Sequence, residues 1–128
     1  MILRTKYTEI HYEEEELLIW SRRITYGNRL FRKLPVEDRV DKLFVRVQTL
    51  LDCPSMKGLK IRLHRRVHML RPKGYYSHYN KTVHLCIRDG KNKVLAHELG
   101  HAVFDNFLGR RAPGKMGEIM AKYVAVRI

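Results

Sequence analysis

An α+β domain is expected from three features of the sequence. Apolar residues recur at helical spacing in two long stretches, 36–51 and 94–103. Three short segments between residues 59 and 87 read instead as strands. The two kinds of segment are also segregated along the chain, in the order helix, helix, three strands, helix, helix. A βαβ fold would alternate them. A length of 128 residues suits one domain with one modest core. No internal repeat, low-complexity segment or linker divides it.

Residues 8 to 23 are expected to form the first helix, with Ile10, Leu17, Leu18 and Trp20 as its apolar points. The Glu13 to Glu16 run would be its solvated face. Tyr26-Gly27-Asn28 reads as a turn. Pro35 suits the first position of the second helix. Val36, Val40, Leu43, Phe44, Val47, Leu50 and Leu51 fall on one face of it, which reads as core. Asp52-Cys53-Pro54-Ser55 ends that helix.

Leu59 to Arg65 alternates apolar and basic residues, as a half-buried strand does. Pro72-Lys73-Gly74 reads as a turn. Tyr75 to Tyr79 is the second strand, and Thr82 to Ile87 the third. A helix then runs from about Lys93 to Leu108 and stops at Gly109. After a breaker-rich loop from Ala112 to Gly117, a last helix runs from about Glu118 to the end.

Composition narrows the function classes. No apolar run is long enough to span a bilayer. The N-terminus lacks the apolar core of a signal peptide, so a cytoplasmic location is expected, with leaderless export left open. Cys53 and Cys86 match no metal spacing and read as buried or free thiols. The net charge of +13 is concentrated at Arg22-Arg23, Arg29 to Lys33, Arg62 to Arg66 and Arg110-Arg111. That balance suits nucleic acid, acidic protein surfaces or simply a solvated basic surface. No nucleic-acid-binding motif accompanies it.

The chemistry-bearing stretch is Val94 to Asn106, VLAHELGHAVFDN. On a helix, His97 and His101 lie about 40° apart around the axis and one turn apart along it, so both imidazoles can reach one ion. Glu98 is rotated by about 100° from His97, beside the ion, where it can hold a water. By composition alone this H-E-x-x-H would arise in roughly a few per cent of shuffles. A catalytic site needs a third protein ligand and one position left for water. Glu118 is the only glutamate after Glu98, and it lies on the following helix. It is the expected third ligand. A His, His, Glu set suits zinc, one ion per chain. Gly100 removes bulk between the ligands and allows a close approach. His11, His64, His68, His78 and His84 read as structural, although His78 and His84 could line a cleft.

These residues resemble a known group. HELGH followed by a glutamate on the next helix resembles the gluzincin zinc peptidases. VLAHELGHAVFDNF is similar to the zinc helix of thermolysin-type enzymes. The small size and element order resemble the minimal members called minigluzincins. The pattern Glu118-x-x-Ala121-x-x-x-Ala125 also resembles the repressor-cleaving metallopeptidases of the ImmA/IrrE type. The resemblance covers most of residues 35 to 128 and is specific from Val94 to Ala125.

The resemblance implies a small zincin-like domain over residues 1–128, with residues 1–33 as a peripheral or blocking segment. It implies a zinc metalloendopeptidase, active or latent, with His97, His101 and Glu118 as metal ligands and Glu98 as general base. Asp105 would support the ligands from behind. Two departures stand out. Position 122 is Lys, where thermolysin-like chains carry an acid. No residue clearly takes the oxyanion-stabilising role, for which Tyr76, His78, Tyr79 and Tyr123 are candidates. An extended peptide would add to the sheet edge at Gly74 to Tyr79. The basic surface would favour acidic or DNA-associated protein substrates. Two other readings remain open: a regulatory peptidase acting on one transcription factor, and a basic nucleic-acid-associated module with a structural metal.

Overall fold

The structure is a computed structural model that describes residues 1–13, 15–25, 33–65 and 73–128. The turn expected at Tyr26-Gly27-Asn28, most of the Arg29 to Lys33 cluster, Arg66, His68 and Pro72 lie outside the described residues.

In chain order the elements are β1 (Ile2–Arg4), β2 (Thr8–His11), α1 (Glu16–Ser21), α2 (Val36–Leu51), β3 (Leu59–His64), β4 (Gly74–Ser77), β5 (Thr82–Cys86), α3 (Asn92–Leu108) and α4 (Gly114–Ala125). The fold is α+β, but among the described residues the sheet has five strands where the sequence predicts three. Its order is β1-β2-β3-β5-β4. Pairing is mixed: β2 with β3 and β3 with β5 are parallel, while β1 with β2 and β4 with β5 are antiparallel.

Of the two extra strands, β2 corrects the expected helix over residues 8–23, and β1 adds to the sheet ahead of it. Thr8 and Ile10 are buried while Glu9 and His11 are only partly so, which is the two-residue period of a strand. Thr8 to His11 pairs in parallel with Leu59 to Arg62, about fifty positions away. That partner lies far outside any local window. Asp41 of α2 holds the turn before β2: Thr5 Oγ1 donates to its Oδ1 at 2.6 Å and the Lys6 N–H to its Oδ2 at 2.9 Å. Helix is confined to Glu16–Ser21.

The Glu13 to Glu16 run is not uniformly solvated either. Glu16 is buried, and its carboxylate accepts the Glu13 N–H at 2.6 Å. It thereby satisfies a backbone donor in the turn that leads into α1.

The core lies on one side of the sheet. Ile10, Ile61, Val83 and Leu85 meet Val40, Leu43, Phe44 and Val47 of α2 and Leu95, Leu99 and Val103 of α3. Trp20 and Ile24 join the same cluster, so the start of the chain supplies both strands and core residues. No helix among the described residues is long and apolar enough to cross a membrane.

Candidate metal centre

The start of α3 is pinned from α1 and the residues after it. The Trp20 indole N–H donates to the Gly90 carbonyl at 3.0 Å, and the Thr25 N–H donates to Asn92 Oδ1 at 3.0 Å. A β-carbon at Gly90 would lie 2.9 Å from Trp20 Nε1, so glycine is required for that contact. Gly109 closes the helix in the left-handed region, φ 69°, as the sequence predicts. Between these ends nearly every side of α3 is covered. Glu98 and Asp105 are among its buried residues.

The last helix starts earlier than expected. It begins at Gly114, directly after Pro113, so Glu118 lies one turn inside it instead of at its opening. Gly117 and Ala121 flank Glu118 on the side facing α3. A β-carbon at Gly117 would lie 3.3 Å from His101 Nδ1, and one at Gly100 would lie 3.1 Å from Ala121 Cα. Small residues on both helices therefore let α4 settle closely on the histidine turn. The small pair at 117 and 121, four residues apart on one face, is a signal that sequence reasoning could have used.

This packing brings four side chains together. Glu118 Oε1 lies 3.1 Å from His97 Nε2, and Glu118 Oε2 lies 3.2 Å from His101 Nε2. The ligand atoms of His97, Glu98 and His101 lie within 4.8 Å of one another. The two imidazoles meet edge to face, with centroids 5.1 Å apart. Zinc bonds of 2.0–2.1 Å in a tetrahedron imply donor atoms about 3.3 Å apart. Each carboxylate–imidazole distance is of that length, although each runs to a different oxygen of Glu118, so the carboxylate now bridges the two imidazoles. The donors are of the chemical kinds zinc takes, and in that chemistry the residues fit the ion.

Electrostatics around the cluster are uneven. Burial, and then the charge of Glu118, push the Glu98 carboxyl up to about 7. Burial holds the His97 imidazole below its ordinary value against the opposing effect of Glu118, with His101 and Lys122 adding to the lowering. The neutral imidazole this favours is the form that binds metals. Lys122, where the resembled enzymes carry an acid, thus acts on His97 as a nearby positive charge.

Two clefts meet at the cluster. One of about 450 Å³ is lined by His97, Glu98, His101 and Glu118 together with Lys73, Gly74 and Lys93. The second, about 210 Å³, also touches Glu98 and His101 and extends to Tyr76, His78, Asp105 and Arg111. Asp105 is buried there. Its Oδ1 accepts the Ala112 N–H at 2.9 Å, which ties the loop before α4 to α3. Its Oδ2 stands 3.3 Å from His78 Nδ1, close enough for an ion pair but not aligned as a hydrogen bond. Burial and Asp105 push the Tyr76 hydroxyl up to about 12. Of the four oxyanion candidates, Tyr76 and His78 line the second cleft, whereas Tyr79 is 86% exposed and, like Tyr123, lines neither. Sequence reasoning missed the pairing of His78 with Asp105, because His78 lies in the turn after β4 and Asp105 on α3, far apart in the chain.

Comparison of the chain with known protein families, with curated proteins and with solved structures returned no match.

Proposed function

We propose that this protein is a zinc metallopeptidase of the gluzincin kind. The observation that carries the reading is the approach of Glu118 to both His97 and His101, at 3.1 and 3.2 Å, with the buried Glu98 alongside. A site with a purely structural metal has no need of a carboxylate in the position of Glu98. His97, His101 and Glu118 would hold the ion, which supplies a Lewis acid that activates water and polarises a carbonyl.

The chain's own residues do the rest. Glu98 takes a proton from the attacking water and passes it to the departing amine nitrogen. Lys73 and Gly74, at the start of edge strand β4, line the same cleft. An extended peptide laid along β4 would gain main-chain hydrogen bonds and be held beside the histidines.

Elemental analysis of the wild type, His101→Ala and Glu118→Ala tests the ligand set. One zinc per chain is expected in the wild type, with loss in both variants. A Glu98→Gln variant should keep its zinc and lose peptide hydrolysis by roughly 10²–10⁴-fold, the usual worth of a general base. Absence of zinc from the reconstituted wild type overturns the reading. Cleavage of one transcription factor with no action on casein would narrow it to a regulatory peptidase.

A further inference from the structure

The face of the sheet turned away from the core carries an ordered row of side chains. Strand pairing sets Ile2, His11, Arg62, His84 and Tyr75 side by side across all five strands. The neighbouring row includes Arg4, Glu9 and Lys60. Ile10, Ile61 and Val83, which alternate with these residues on the central strands, are fully buried. Both rows therefore point to the opposite face.

Two features of this face matter together. The first is a stack of rings. Tyr75 lies against His84 with centroids 4.4 Å apart and planes 13° apart, and His84 lies against His64 at 5.1 Å and 30°. His64 Nε2 and His84 Nδ1 are 2.8 Å apart, which fixes the two imidazoles to each other. Tyr75 stands on edge strand β4 and is 43% exposed, so the stack ends in an open ring.

The second feature is cationic charge. Lys60 and Arg62 are exposed, and neither has an ion-pair partner among the described residues. Glu9 is offset by Arg4 at 3.8 Å. A cleft of about 530 Å³ continues the face past Arg62 and His64 to Arg65. Of the two acids lining it, Glu16 accepts the Glu13 N–H and stands 4.0 Å from Arg65.

We propose that this face binds single-stranded nucleic acid, with phosphates at Lys60 and Arg62 and a base stacked on Tyr75. Regularly spaced cations answer a phosphate backbone, and the chain's +13 charge draws it in. An open aromatic ring at the end of a stack takes an unpaired base, which a duplex keeps inside its own stack. An acidic protein surface would satisfy the cations, but a nucleic acid brings a phosphate and a planar base together in every repeat. Lys60 and Arg62 stand on β3, whereas the metal centre is built from α3 and α4. Tyr75 also lines the smaller cleft beside Glu98 and His101, so the two cations are the part of the site that is independent of that centre.

Fluorescence anisotropy with a short labelled oligouridylate, titrated over a range of salt, tests the proposal on the full chain. The oligouridylate should bind more tightly than a duplex of the same length, heparin, polyglutamate or anionic vesicles. Lys60→Ala with Arg62→Ala should flatten the salt dependence of log K by about 1.4, at about 0.7 for each phosphate no longer neutralised. Tyr75→Ala should weaken binding roughly 5- to 150-fold, and Tyr75→Phe should restore it, since the ring carries the stacking. No binding at low salt overturns the proposal. So does equal affinity for every polyanion with Tyr75→Ala unchanged, which would be general charge attraction. If Tyr75→Ala fails to fold by circular dichroism, the salt slope of the exposed Lys60 and Arg62 pair decides the outcome.

Discussion

Gly100 of α3 faces Ala121 of α4 so closely that a β-carbon on the glycine would lie 3.1 Å from the alanine Cα. Glu118 sits three residues before Ala121 on the same helix and reaches His97 and His101 from there. The geometry of the proposed zinc site is therefore set by a contact between two residues that touch no metal.

Gly100→Val tests that dependence. The added side chain must push α4 away, and overpacking of this kind costs about 1–3 kcal/mol. Valine's gain in helix propensity over glycine is smaller, well under ~1 kcal/mol. The expected result is a lower thermal midpoint together with weaker zinc retention against a chelator, although all three proposed ligands are intact. Unchanged zinc affinity would mean that Glu118 can follow the histidines wherever α4 moves.

Asp105 should matter to the fold as much as to the site. Its buried carboxylate accepts the Ala112 N–H, and Ala112 is itself buried. Asp105→Ala leaves that N–H without its partner and should cost about 1–3 kcal/mol in urea denaturation. Asp105→Asn keeps an acceptor oxygen and should recover part of the loss.

The histidine pair on the outer face gives a pH dependence whose sign is fixed. Burial first, then His64 and Arg62, lower the His84 imidazole to about 4 from 6.5. Tyr75, stacked against its ring, brings no charge to offset this. The folded state thus favours neutral His84. Its contribution is fully present above the unfolded value and is lost as pH falls from about 6.5 towards 4. Thermal midpoints of wild type and His84→Gln should diverge across that window, with the wild type falling more steeply on acidification. Parallel curves would show that His84 titrates alike in both states.

Lys73 and Lys93 line the cleft beside His97 and Glu98. A peptide with acidic residues flanking the cleaved bond should accordingly have a lower KM than a neutral one, with the difference shrinking as salt is added. Lys93→Glu should raise the KM for the acidic peptide roughly 2- to 5-fold, the range of an exposed charge pair, and leave kcat nearly unchanged. A KM indifferent to peptide charge would remove these lysines from substrate recognition.

Elements with local signals were legible in the chain before any folding was considered. The apolar spacing of Val36 to Leu51 sets α2, and the alternation of Leu59 to His64 sets β3, because each pattern repeats within a few residues of itself. The turn shared by His97, Glu98 and His101 follows from the same helical period. Other features depend on partners distant in the chain. Thr8 to His11 is too short to declare itself and becomes a strand by pairing with β3 across about fifty positions. Glu16 lies in an acidic run that looks solvated, yet a backbone donor draws it into the interior. Glu118 could be named from its place after the motif. Its distance to the histidines depended on where α4 begins and on the small residues that let two helices meet, and non-local packing alone sets both.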